Sequence, residues 1–167
     1  MTLTVRAASP DDAVAVHAVH AAAFGRDAEG DLVDALVAGG HAAYSYVAVG
    51  DGTVVGHALL SRITVGGDEA LALAPVGVVP EVQGNGVGSA VVRAALDAAT
   101  ADGARLVLVL GDPAYYSRFG FTRADEHGIE TPEGWPPAHF QALLLGGAPP
   151  QGRPAYPPPF DDLPDQR

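Results

Sequence analysis

Cysteine is absent from the sequence, which rules out a disulfide framework, cysteine-ligated zinc and a thiol nucleophile. Basic side chains are scarce. Nine Lys plus Arg against twenty Asp plus Glu leave a net charge of −11, which disfavours nucleic acid and anionic membranes as partners and suits a cationic small molecule or an amine. No run approaches the ~18 uninterrupted apolar residues of a membrane-spanning helix, and the opening MTLTVRAASPDD lacks the apolar core of a signal peptide. The expectation is a cytoplasmic protein without a membrane partner. The six histidines, at positions 17, 20, 41, 57, 127 and 139, show no HExxH spacing. His17 and His20 share a helix face but have no carboxylate partner visible in the sequence, so no metal is expected.

What remains is enough for one domain. The chain has 167 residues, 48% of them hydrophobic, ample for a single core. Residues 3–7 alternate as a strand. Ser9-Pro10-Asp11-Asp12 then supplies an N-cap, a proline at the first helical position and acids in the first turn of a helix running to about Phe24. Residues 28–38 read as a second helix closed by Gly39-Gly40. Two β-rich segments, 43–49 and 54–65, are joined by the hairpin signal Gly50-Asp51-Gly52-Thr53. The apolar run 71–79 reads as a strand buried on both faces, as does RLVLVL at 105–110, with a helix over 89–101 between them. A short helix over 113–119 and strands near 121–124 and 138–145 complete the order β α α β β β α β α β β. That order predicts an α/β domain over residues 1–146, a mixed sheet with helices on both faces. Residues 147–167 are too proline-rich for regular structure. They read as a surface tail or as a segment pinned by Tyr156 and Phe160.

The stretch VQGNGVGSAVV, residues 82–92, turns from strand into helix through Gly84, Gly86 and Gly88. The first amides of a helix lack intrahelical acceptors, and the dipole adds about half a positive charge there. Such a turn holds phosphate without a basic side chain. A Walker loop requires Lys then Ser or Thr after the last glycine, whereas Ser89 and Ala90 follow Gly88. A dinucleotide turn requires Gly-x-Gly-x-x-Gly and an acid at a later strand end; here the third glycine comes one residue early, and Asp102 precedes its strand. A ligand-free turn is the other reading.

The segment from Val76 through Gln83, Gly84, Gly86 and Gly88 resembles the acetyl-CoA signature of the GNAT N-acetyltransferases, Gln/Arg-x-x-Gly-x-Gly/Ala after a hydrophobic strand. Tyr115-Tyr116-Ser117-Arg118-Phe119-Gly120-Phe121 resembles the second landmark of that family, aromatic-Tyr-x-Lys/Arg-x-Gly-Phe. GDPAYYSRFGF and RPAYPPPF are similar to a bacterial subgroup of that family. The resemblance implies the GNAT fold, with its sheet splayed between strands 4 and 5. It implies acetyl-CoA as co-substrate, its pantetheine arm along backbone groups of Val76, Gly77 and Val78. The pyrophosphate would rest on Gln83, Gly84, Asn85, Gly86, Val87, Gly88 and Ser89. Tyr116 would be the proton donor to the departing thiolate, a role that suits a phenol with a normal pKa near 10. The implied reaction is acetyl transfer to a primary amine by direct attack, and the fold leaves a homodimer open. Two positions depart from the family pattern. Val109 stands where many relatives carry asparagine, and residues 71–79 hold no glutamate to serve as base. Asp112 is the first candidate base and His57 the second. Asp112 also reads as a simple helix cap and His57 as a satisfied strand histidine. A non-catalytic acyl-CoA-binding module is the alternative from another class. Glu29, Asp31 and Asp34 either attract a cationic acceptor or form a solvated face, and Trp135 either lines a pocket or closes a loop.

Overall fold

The computed structural model describes residues 1–163. Strand β1 (Leu3–Ala7) leads into helix α1 (Ala13–Phe24) through a 3-10 turn at Pro10–Asp12. The turn is fixed by Asp12, whose carboxylate accepts the Ser9 backbone N–H at 2.8 Å and receives Arg6 at 2.7 and 2.9 Å. Gly25, at φ 70°, closes α1 in a conformation that favours glycine. Helix α2 (Ala28–Ala38) follows, then β2 (Ala42–Gly50), β3 (Thr53–Val65) and β4 (Asp68–Val78). The glycine turn leads into α3 (Val87–Ala101), and the chain continues through β5 (Leu106–Leu110), the single turn α4 (Pro113–Tyr116), β6 (Thr122–Arg123) and β7 (Phe140–Leu144). Helix α3 therefore begins two residues before the position expected from its apolar spacing.

The strands form one sheet in the order β1-β2-β3-β4-β5-β7-β6, in which only β4 and β5 are parallel. Alternate residues of β5 enter different cores. Val107 and Val109 pack with Val91, Val92 and Ala95 of α3, while Leu106 and Leu108 pack with Ile63, Ile129 and Phe140. That is why RLVLVL is apolar at every position. A third cluster seats Val16 of α1 and Leu32, Val33 and Leu36 of α2 against Val47 and Leu59.

Two features open the sheet at one place. Strands β4 and β5 pair only at Leu71↔Val107 and Ala72↔Leu108. Just beyond, the β3 register steps from Leu60↔Leu73 to Ala58↔Val76, two residues on β4 (Ala74 and Pro75) against one on β3 (Leu59), so Ala74-Pro75 bulges. The bulge redirects β4 away from β5 and leaves an edge between them.

The proline-rich segment corrects the expectation of no regular structure. Strand β8 (Pro154–Ala155) pairs with β3 at Thr64↔Ala155, and a 3-10 turn follows over Pro158–Asp162. Proline is tolerated there because β8 is a two-residue edge strand whose missing N–H breaks no ladder. Phe160 is 5% exposed and belongs to the α1/α2 cluster.

Candidate active site

Past the bulge, β4 stays paired with β3, and among the described residues no strand pairs with its β5-facing edge. The Val79 N–H donates to Val55 O at 2.9 Å, and antiparallel pairs alternate between bonded and non-bonded. Gly77 therefore spends its backbone groups on His57, while those of Val76 and Val78 turn to the open edge. The three residues expected along the pantetheine arm therefore differ in backbone orientation, although all three line one cavity. Gly77 matters for what it lacks: a Cβ there would lie 2.5 Å from Nδ1 of His20 on α1. The outward carbonyl of Val78 accepts from Gln83 Nε2 at 2.9 Å, so Gln83 folds back onto the strand.

The three glycines of the turn serve two needs. Gly84 and Gly86 stand at φ 82° and 79°, where a side chain is strained. Gly88 is glycine for space, since a Cβ there would come within 3.0 Å of the Tyr115 hydroxyl. That hydroxyl lies 3.3 Å from Ser89 Oγ, and the Arg118 guanidinium stacks 4.2 Å from the Tyr115 ring centre. A cavity of about 420 Å³ runs past Val76, Gly77 and Val78 to the start of α3, with Arg118 as the cation on its wall. Gln83, Gly84, Gly86, Val87, Gly88 and Ser89 all line it. Asn85 does not: its side chain turns back to Val82 O at 3.0 Å, bracing the loop.

A second cavity, of about 370 Å³, lies on the other side of the splay and shares Phe24, Val76 and Tyr116 with the first. Tyr116 stands at the junction, packed edge-on against Tyr115 (4.9 Å) and Phe121 (5.8 Å). Burial pushes its phenol up to about 12, so it carries its proton throughout the neutral range. Gly111 makes room for it, since a Cβ at that position would meet the Tyr116 ring at 2.5 Å.

Asp112 lies on the wall of the second cavity and caps α4, its Oδ1 accepting from Ala114 N at 2.9 Å. Its other carboxylate oxygen makes no hydrogen bond among the described residues. Val109, at the position where asparagine was expected, is 2% exposed and closes the floor. His57 lines neither cavity. It is fully buried, its Nδ1 2.8 Å from His20 Nε2 and its Nε2 2.8 Å from Ser45 Oγ. Burial lowers His20 to about 4, and burial with the neighbouring His20 lowers His57 to about 3, so both rings are neutral. His20 Nδ1, against Gly77, has no hydrogen-bond partner among the described residues. Sequence reasoning missed this pair, because nothing in linear spacing links positions 20 and 57.

His17 does gain a carboxylate partner that the sequence did not reveal. Asp31 on α2 lies 3.1 Å from its Nε2 and raises its pKa, and Asp34 completes an exposed group whose ligand atoms lie within 4.8 Å. Glu29 faces the other way. It is 4% exposed, lines the second cavity and is held by both Nε and Nη2 of Arg26. A further depression of about 230 Å³, lined by Tyr44, Arg62, Glu69 and Asp102, shares no residue with either cavity. No described helix is long and apolar enough to cross a membrane.

Residues 14–121 match the acetyltransferase (GNAT) family. The sequence is 37% identical over 141 residues to the uncharacterized N-acetyltransferase YjhQ of Escherichia coli K12, covering 80% of this chain and 78% of that protein. It is 35% identical over 130 residues to YhbS of the same strain, covering 76% and 78%. The crystal structure of Escherichia coli YhbS in complex with CoA superposes with a TM-score of 0.88 at 32% identity, over 95% of this chain and 92% of that one. A GNAT acetyltransferase from Brucella melitensis in complex with acetyl-CoA gives a TM-score of 0.83 at 37% identity, over 96% and 99%.

Proposed function

The chain belongs to the GNAT acetyltransferase family, and on that premise we propose that it is an N-acetyltransferase that moves the acetyl group of acetyl-CoA onto a primary amine by direct attack. The observation that carries the reading is the continuity of one surface. The unpaired edge at Val76 and Val78 runs into the left-handed turn at Gly84 and Gly86 and ends on the first amides of α3. An elongated thioester with an anionic end fits that sequence of features. The strand edge offers an N–H and C=O ladder to amide groups of the arm, and the helix start offers amides and dipole to the pyrophosphate.

Tyr116 sits where the two cavities meet, so a thioester in the first and an amine in the second come together beside its hydroxyl. The amine lone pair forms the new C–N bond at the acetyl carbonyl carbon, and the C–S bond breaks with its electron pair on sulfur. Tyr116, protonated at neutral pH, donates its proton to that sulfur. Asp112, on the wall of the second cavity, receives the proton that the amine gives up. The test is titration calorimetry with acetyl-CoA, followed by CoA thiol release on adding amines. Binding should be abolished or weakened by Gly86→Ala, and absence of binding at millimolar acetyl-CoA would overturn the proposal.

A further inference from the structure

The second cavity owes much of its wall to residues that neither sequence landmark includes. Strand β8 fastens residues 153–155 to the end of β3, with the Gly66 N–H donating to Arg153 O at 2.9 Å. The chain then carries Tyr156 and Phe160 across the open side of the splay. Their rings stand 5.1 Å apart, and Tyr156 stands 5.5 Å from Trp135, all in edge-to-face contact. The three rings line the cavity together with Phe24 and Pro75, in a space of about 370 Å³, within the size range of small-molecule sites. Burial raises the Tyr156 phenol above its ordinary value, and its hydroxyl makes no hydrogen bond among the described residues.

Charge on the same wall narrows the occupant further. Glu29 is already held by two nitrogens of Arg26, so it is not free to bind a second cation at full strength. Asp112 is exposed and spends one oxygen on its own helix. A polyamine would call for free carboxylates, and this wall offers only the paired Glu29 and the capping Asp112 beside its aromatic rings. We infer that the acceptor is a small primary arylalkylamine, its ring held edge-to-face by Trp135, Tyr156 and Phe160 and its amino group directed to the junction at Tyr116. This rests on the acetyl transfer proposed above.

The experiment follows CoA thiol release from acetyl-CoA with four acceptors: 2-phenylethylamine, tyramine, spermidine and a lysine-containing peptide. The chain contains no lysine, so the enzyme adds no side-chain amine to the background. The arylalkylamines should give the highest kcat/KM. Trp135→Leu and Tyr156→Ala should raise their KM by roughly tenfold or more, the scale of a lost aromatic contact. Tyr156→Phe should separate tyramine from 2-phenylethylamine if the free hydroxyl meets the substrate. Acetyl-CoA affinity, measured in parallel, should stay within about twofold in every variant, which also shows that each has folded. Preference for spermidine or the peptide, or an unchanged arylalkylamine KM in both ring variants, overturns this inference and leaves acetyl transfer standing. Acetyl-CoA binding without acetylation of any amine overturns both.

Discussion

Acidification should destabilise the fold through the buried imidazole pair, on a scale that can be worked from its environment. His20 and His57 are each 0% exposed and hydrogen-bonded to each other. Their ordinary value is 6.5, and the folded chain holds them at about 4 and about 3. Both shifts are downward, so between pH 6.5 and about 4 the unfolded chain binds protons that the folded chain refuses, and stability falls as pH falls. Each such proton costs ~1.4 kcal/mol per pH unit once the unfolded group is fully titrating. Going from pH 7 to pH 5 therefore removes up to about 4 kcal/mol for the pair, or roughly 10 °C in Tm for a chain of this size. Two other groups bear on the window. His17, raised by Asp31, works in the opposite sense: its contribution is present below 6.5 and lost as pH rises through its folded value. That pair is largely exposed, so it offsets only a few tenths of a kcal/mol. Asp12 is lowered by its hydrogen bond with Arg6; its contribution is fully present above 3.8 and is lost only at lower pH, outside the window considered. Thermal melts at pH 7, 6 and 5 by circular dichroism would measure the slope, and His57→Gln should reduce it by about half or more. A flat Tm over this range, or an undiminished acid slope in a folded His20→Gln/His57→Gln variant, would refute the reasoning.

Tyr116→Phe keeps the ring that packs against Tyr115 and Phe121 but removes the proton donor. Steady-state kinetics should show kcat lower by about 10²-fold or more with acetyl-CoA KM little changed, and an unchanged kcat would remove Tyr116 from the chemistry. Gly86→Ala places a side chain at φ 79° with open space around it. The cost of ~1–2 kcal/mol is therefore backbone strain, to be seen as a Tm lower by roughly 2–8 °C together with weaker acetyl-CoA binding in calorimetry. Gly77→Ala drives a methyl to within 2.5 Å of His20 Nδ1 and should cost ~1–3 kcal/mol in chemical denaturation. Combining it with His20→Ala should recover part of that loss. Phe160→Ala, at a position 5% exposed, should cost ~3 kcal/mol or more; a loss below ~0.5 kcal/mol would mean that the proline-rich segment is not anchored.

The element order was legible because each element announces itself locally. The Ser9 to Asp12 turn, the Gly50 to Thr53 hairpin and the apolar spacing from Val91 to Ala99 depend on neighbours within one or two turns. The glycine turn was legible for the same reason: φ near 80° at Gly84 and Gly86 is a demand that only glycine meets without strain. Position 77 shows the limit. A glycine inside a β pattern signals close approach, but the sequence does not say what approaches, because the approaching group is His20 on α1. The family resemblance implied one shared role for residues 76–78, while strand pairing gives opposite orientations to Gly77 and its two neighbours.

The first cavity is bordered by the β4 edge and the glycine turn, and backbone requirements leave glycine and apolar marks in a fixed order. The second cavity is lined by side chains that meet only after folding. Phe24 and Glu29 come from the ends of α1 and α2, Asp112 and Tyr116 from the turn after β5, Trp135 from a loop, and Tyr156 and Phe160 from beyond the last long strand. No spacing rule relates these positions, and each alone has an ordinary structural reading: helix cap, ion pair or packed ring. Proline density hid the most informative of them. Proline removes ladder donors and argues against strand or helix, yet between residues 154 and 160 it also stiffens the chain, lowering the entropy lost when Tyr156 and Phe160 are laid against the sheet. A composition that reads as a loose tail is therefore equally suited to a rigid strap, and what distinguishes the two is whether β3 extends past β2 and leaves an edge for β8. It does: β2 ends against Ser61, and Thr64 and Val65 run on to meet Ala155 and Pro154.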